Sequence, residues 1–154
     1  MQHELETRLR NVEAFVNKAC SSDIPEDIQS YLFRYGTVLI CGNIERSIEI
    51  IILSRLTHRA QPRVLNFVKS HFMRGTNFDC SAVEQLLNRF DPEWYRAFER
   101  FVSDNPDVKE GVTSCYAVRN SVAHGGAGSV GGKRLRELYE ASKRFIDGVV
   151  QATA

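Results

Sequence analysis

Apolar residues recur at helical spacing along nearly the whole chain. Over residues 3–20, Leu5, Leu9, Val12, Phe15, Val16 and Ala19 fall on one stripe, as in an amphipathic helix packed by one face. Ser21, Ser22 and Asp23 break that pattern, and Pro25 suits the first turn of the next helix. The longest pattern covers about 26–59, with Ile28, Leu32, Tyr35, Leu39, Ile44, Ile48, Ile51, Ile52 and Leu56 apolar. Gly36 and Gly42 lie inside it and mark a kink or a close helix contact. The run IEIIIL is rich in β-branched residues, which favour strands. It sits inside a longer 3.6-residue period and has no partner strand in the sequence, so it is read as helix.

Pro62 opens a shorter helix carrying Val64, Leu65, Phe67, Val68 and Phe72, which Gly75 and Asn77 end. Ser81 to Phe90 follows, with Val83, Leu86, Leu87 and Phe90 apolar. Asp91-Pro92-Glu93 is a helix start: a capping acid, proline at the first position, and an acid in the positive first turn. Asn105-Pro106-Asp107 repeats that signal. The helix it starts turns Val108, Val112, Cys115, Val118 and Val122 inward and stops at Gly125, and a last helix covers about 131–150. There is no internal repeat and no low-complexity linker. The pattern predicts one all-α domain over residues 1–154, a bundle with extra short helices between its main ones.

Composition changes this picture little. Of 154 residues, 43% are hydrophobic and 25% charged, so the chain can bury a real core. The net charge of +1 points to no particular partner, and a polyanion site must come from local clustering. Cys20, Cys41, Cys80 and Cys115 are far apart in sequence, as expected of free intracellular thiols. The start MQHELETRLR is charged and helical in character rather than a signal peptide, and no apolar run approaches a membrane span. A cytoplasmic protein is expected.

The chemistry concentrates in RNSVAHGGAGSVGGK, residues 119–133. Gly126-Ala127-Gly128-Ser129-Val130-Gly131 matches G-x-G-x-x-G, but that fingerprint binds dinucleotides only between a strand and a helix, and a helix precedes it here. A Walker A reading fails at Ala127 and at Arg134, which stand where glycine and Ser/Thr are needed. The glycines are therefore read as a helix exit. His124 in the last turn can simply complement the helix dipole, and Arg119 can simply be a solvated side chain. Against that plain reading stands a chemical one. A histidine can move the proton of a 2′-hydroxyl or of a leaving oxygen, and an arginine can fork onto a phosphate. Asn120 can orient either group and shares a face with His124, four residues on. Arg119 does not share that face: five residues turn it by about 140° from His124. Either the helix loosens near Gly125, or a second copy completes the site across a two-fold axis.

R-N-x-x-x-H-G at the end of a helix in an all-α chain resembles the HEPN superfamily, whose R-x-(4–6)-H motif lies at such a helix end. Asn43-Ile44-Glu45-Arg46 on the long second helix, Phe90-Asp91-Pro92-Glu93-Trp94, and the final helix after the loop look like the RiboL-PSP type of HEPN domain. The resemblance covers roughly residues 30–150. It implies an antiparallel bundle of two helical hairpins, commonly a homodimer whose composite active site lies where the two motif helices face each other. It also implies a metal-independent endoribonuclease with no cofactor, often a toxin or a defence effector with an antitoxin or defence-system partner. Carried over, Arg119 and His124 would be catalytic with Asn120 beside them, and Glu45 would support the site. One branch of the family has a tyrosine two residues after the histidine that a partner enzyme modifies; Gly126 stands there in this chain. The alternative is a HEPN module without catalysis that binds RNA or a partner protein.

Charge agrees with an RNA partner in two places. Residues 50–78 contain no acid, while Arg55, Arg59, Arg63, Lys69 and Arg74 are present. Lys133, Arg134 and Arg136 lie beyond the glycine loop and are the expected RNA contacts, although basic runs are commonly just solvated faces. Other clusters argue for structure. His58, His71 and Cys80 lack zinc-ligand spacing, so no metal site is expected. Cys115 falls on the apolar stripe, and Trp94, Tyr95 and Phe98 read as core.

Overall fold

A computed structural model of the chain describes residues 1–72, 75–126 and 129–154. Arg74 of the first basic run and Ala127-Gly128 of the glycine loop lie outside the described residues. The elements are α1 (Gln2–Ala19), α2 (Glu26–Leu56), α3 (Pro62–Phe72), α4 (Cys80–Phe90), α5 (Pro92–Asp104), α6 (Pro106–Ala123) and α7 (Gly132–Ala152), with no strand among the described residues. Helix α2 is the spine and packs against α1, α3, α6 and α7. The pairs α1–α2 and α6–α7 form two long hairpins that share α2 as their common wall. The short helices α3, α4 and α5 fill the connection between them, α4 on α5 and both on α6. This is the all-α bundle of two hairpins expected from the periodicity and the resemblance.

The interior explains why these segments are helices. Leu5, Val12, Val16 and Ala19 form the buried face of α1. Helix α2 buries Ile40, Cys41, Ile44, Ile48, Ile51 and Ile52 completely, because helices cover it on several sides. IEIIIL is thus a buried helix segment, its β-branched residues chosen by packing. Phe98 of α5 meets Phe145 of α7 edge-to-face at 5.6 Å, and both are fully buried. Truncating a ring placed like these costs about 3–5 kcal/mol in typical cores.

Two small residues let the hairpins close. A Cβ on Gly111 of α6 would stand 2.5 Å from the Ala141 Cβ of α7, so these helices meet almost backbone to backbone. At Gly36 a Cβ would press on Leu135 at 3.0 Å and Phe15 at 3.2 Å. Gly36 is therefore a close helix contact, and α2 continues without a break through both glycines. Gly42 is different: nothing lies within 4 Å of a Cβ built there.

Two local expectations change. The cap of α4 is Asp79, whose Oδ1 accepts from Ala82 N at 2.9 Å, so the helix starts at Cys80. Asp91 caps α5 as expected, accepting from Glu93 N at 2.8 Å. Asn105 does not cap α6 with its side chain; its Nδ2 donates back to Phe101 O at 2.8 Å, and Arg144 of α7 donates to its Oδ1. Arg144 also pairs with Asp107, whose carboxyl it holds below the usual range.

Not every apolar position faces the core. Ile28 is 47%, Tyr35 54% and Phe67 65% exposed, although all three fit the helical periodicity. With Tyr31 and the half-buried Val38 and Leu39, they leave apolar surface on α2 and α3, although Tyr35 also meets Phe15 of α1 edge-on at 5.5 Å. No helix among the described residues is long and apolar enough to cross a membrane.

Candidate functional site

Helix α6 brings the motif to the edge of the bundle. It remains α-helical through Ala123, with no loosening between Arg119 and His124. His124 is the C-cap residue at φ −98°, its N–H still bonded to Asn120 O at 3.1 Å. Gly125 then takes φ +75°, the left-handed conformation that glycine adopts without a Cβ clash. Gly125 N donates to Val122 O at 3.1 Å and Gly126 N to Ser121 O at 2.8 Å. That pair of bonds is a Schellman ending, which satisfies the last carbonyls and stops the helix at a fixed residue. His124 is thus held at the solvent-exposed tip of α6. A Cβ on Gly126 would collide with the Ser121 hydroxyl and lie 3.0 Å from its carbonyl oxygen. The same turn that presents His124 therefore demands glycine where one HEPN branch has tyrosine.

Arg119 points the other way, inward and across to α2. Its Nη1 donates to Asn77 Oδ1 at 3.0 Å and to Asn120 Oδ1 at 3.2 Å. Its Nη2 lies 3.7 Å from Glu45 Oε1, and the two side chains are only 30% and 25% exposed. Such a frame fixes the guanidinium plane before any ligand arrives. Asn77 was not identifiable from sequence: it sits in the loop after α3, 42 residues from its partner. Tyr116 holds that loop, its hydroxyl accepting from Phe78 N–H at 3.0 Å. Tyr116 and Arg119 lie three apart on α6, so one helix face clamps adjacent loop residues.

Glu45 is a strained partner. Burial pushes its carboxyl above the usual range, and Arg119 offsets only part of that. Its Oε1 is buried and accepts no hydrogen bond among the described residues. An acid whose folded pKa is raised holds its proton better when folded, so its ionisation lowers stability as pH rises through that pKa. Glu45→Gln is therefore expected to keep or raise the unfolding temperature at pH 7. A clear fall in that temperature would mean that the Glu45 carboxylate holds the fold.

The basic candidates divide. Lys133 is 93% exposed and only 4.0 Å from Glu137, which also pairs with Arg134 at 3.1 Å. Arg136 is exposed on the same first turns of α7. In the other run, Arg55 is not free for RNA. Its Nε donates to Thr153 Oγ1 at 3.2 Å and its Nη2 to Val150 O at 3.0 Å, tying down the end of α7. Arg59, Arg63 and Lys69 are exposed.

The thiols are structural. Cys115 lies 3.4 Å from Cys41 Sγ, and that hydrogen bond, with burial, pushes its thiol far up. Burial, with Glu84 and Asp79 nearby, raises Cys80 to about 11. Neither is a thiolate near neutral pH. Among the described residues no group of three or more His, Cys, Asp or Glu could hold a metal ion. Phe98 is core as expected, with Trp94 and Tyr95 packed partly against it.

The family model described as RiboL-PSP-HEPN matches residues 3–154, nearly the whole chain. No curated protein and no solved structure gives a significant match.

Proposed function

The chain belongs to the RiboL-PSP-HEPN family, and from that premise we propose that it is a metal-independent endoribonuclease in which Arg119 holds the scissile phosphate and His124 transfers protons. The observation that carries this reading is the difference between the two motif residues. Arg119 is pre-oriented by Asn77, Asn120 and Glu45, while the His124 imidazole is presented in solvent by a rigid helix ending. The RNA supplies the nucleophile. Its 2′-oxygen attacks the neighbouring phosphorus as the bond to the 5′-oxygen breaks, leaving a 2′,3′-cyclic phosphate and a 5′-hydroxyl. His124 takes the 2′-hydroxyl proton and, as the imidazolium so formed, gives a proton to the departing 5′-oxygen, while the Arg119 guanidinium stabilises the charge growing on the phosphate. Lys133 and Arg136 guide the flanking phosphates, with Arg134 shared between them and Glu137.

Because α6 does not bend, a second copy completes the site in this reading. Gly42 marks where it docks. A glycine in mid-helix is about 1 kcal/mol worse than alanine, and among the described residues nothing lies within 4 Å of a Cβ built there. Next to it, Asn43 is 3% exposed with neither amide atom hydrogen-bonded among the described residues. Exposed Tyr31 and Tyr35 lie along the same helix. A two-fold axis near Gly42 would bury the tyrosines, one turn from Glu45. Gly42→Arg is accordingly expected to turn a dimer into a monomer in light scattering and to remove cleavage activity. An unchanged dimer, or a wild type that is monomeric, would refute this face. The family resemblance further supports a toxin or defence role with an antitoxin-type partner.

The inward bonds of Arg119 also favour a second reading, a HEPN module that binds RNA or a protein without cleaving. Purified chain incubated with mixed RNA in excess EDTA separates the two. The enzyme reading expects shortening of RNA and none of DNA of the same sequence; intact RNA at high enzyme concentration would leave the binding module.

A further inference from the structure

A cleft of about 360 Å³ opens between α3 and α4. Phe67, Phe72, Phe78 and Phe90 line it, and Gln85 and Arg89 stand among its polar groups. Phe72 and Phe78 lie 5.7 Å apart, while Phe67, 65% exposed, meets the His71 ring edge-on at 4.9 Å. Helical periodicity counts Phe67, Phe72 and Phe90 among the apolar positions, yet Phe67 stands in water beside an apolar hollow.

The cleft adjoins a second depression that contains Glu45, the partner of Arg119. Phe72, Thr76 and Phe78 line both it and the adjoining depression that contains Gly42 and Glu45. Asn77, between Thr76 and Phe78, is the residue that accepts from Arg119. The charge around it is mixed: α3 carries Arg63 and Lys69 and no acid, and Arg89 lies on the α4 wall, while Glu84 is the one acid of α4 and Glu45 and Glu49 line the adjoining depression. The size fits a compact planar ligand at the small end of ordinary pockets, about 300–1,000 Å³. Rings for stacking, with an amide and a guanidinium near the rim, are what an unpaired base of single-stranded RNA requires.

We propose that this cleft is a nucleobase subsite: a base next to the phosphate held by Arg119 stacks on Phe67 and enters the cleft, its polar edge facing Gln85 and Arg89. The proposal rests on the RNA reading above and adds the feature of RNA that this chain would select, an unpaired base beside the cut.

The test uses the full chain and uncleavable 2′-O-methyl oligonucleotides, one series bearing bases and one with abasic residues on the same backbone. Base stacking is worth about 1–3 kcal/mol per base. Phe67→Ala, an exposed position whose loss leaves the core intact, is expected to weaken binding of the base-bearing series about 5- to 100-fold. Binding of the abasic series should not change. Arg89→Gln should alter the order of preference among the four homopolymers. Equal effects of Phe67→Ala on both series, or none on either, would overturn the subsite while leaving the RNA reading intact; the second result would fit an apolar protein partner instead. Wild-type chain that binds neither series would overturn both.

Discussion

Replacing His124 with alanine is expected to lower the rate of RNA cleavage by about 10²–10⁴-fold, the usual worth of a positioned proton-transfer group. The fold should not notice. The imidazole is exposed, and the helix ending rests on backbone bonds of Asn120, Gly125 and Gly126 that alanine at 124 preserves. Equal unfolding midpoints and unequal rates would place His124 in the chemistry. Cleavage that continues at the wild-type rate would remove it from the mechanism, and a chain that unfolds would show a capping role.

Arg119→Ala should be comparably severe in activity, about 10²–10³-fold, because a pre-oriented donor at the reacting phosphate is lost. Unlike the histidine change, it should also alter stability, with a signature in pH. Removing the guanidinium leaves Glu45, already pushed up by burial, without the cation that offsets part of that burial. Its folded pKa rises further, so the variant is destabilised most at neutral and alkaline pH and recovers as pH falls through that raised value. Adding Glu45→Gln should remove the pH-dependent loss without restoring cleavage. Arg119→Lys should recover part of the stability and little of the activity, since an ammonium keeps the charge but not the planar fork. Thermal unfolding at several pH values, alongside cleavage rates, checks all of these.

The fold was legible wherever a local signal fixed an element. Asp91-Pro92-Glu93 starts α5 at the expected residue because cap, proline and acid act within one turn. Periodicity and start signals together marked the helices, but periodicity could not say what covers each apolar residue. Tyr35 and Ile44 fit the same pattern; one is 54% exposed and the other fully buried. Gly36 and Gly42 look alike in sequence too; packing sets them apart, with Leu135 pressed on the first and nothing among the described residues within 4 Å of a Cβ at the second. Arg55 belongs to a basic run in sequence, but its bonds go to the end of α7.

The site follows the same rule. Arg119, Asn120 and His124 stand close together in one recognisable motif. Glu45 came only through the family pattern. Asn77 and its anchor Tyr116 carried no signal, because their roles exist only once the loop after α3 folds over α6.

The central claim is that the RNA's own 2′-hydroxyl is the nucleophile at the Arg119–His124 site. It is tested most directly by an oligoribonucleotide carrying one 2′-deoxy residue at the cut position, digested in EDTA with product ends identified by mass spectrometry. The all-ribose strand is predicted to yield 2′,3′-cyclic phosphate and 5′-hydroxyl ends, and the cut at the deoxy residue to vanish. Cleavage at the deoxy residue, leaving 3′-hydroxyl and 5′-phosphate ends, would contradict the account.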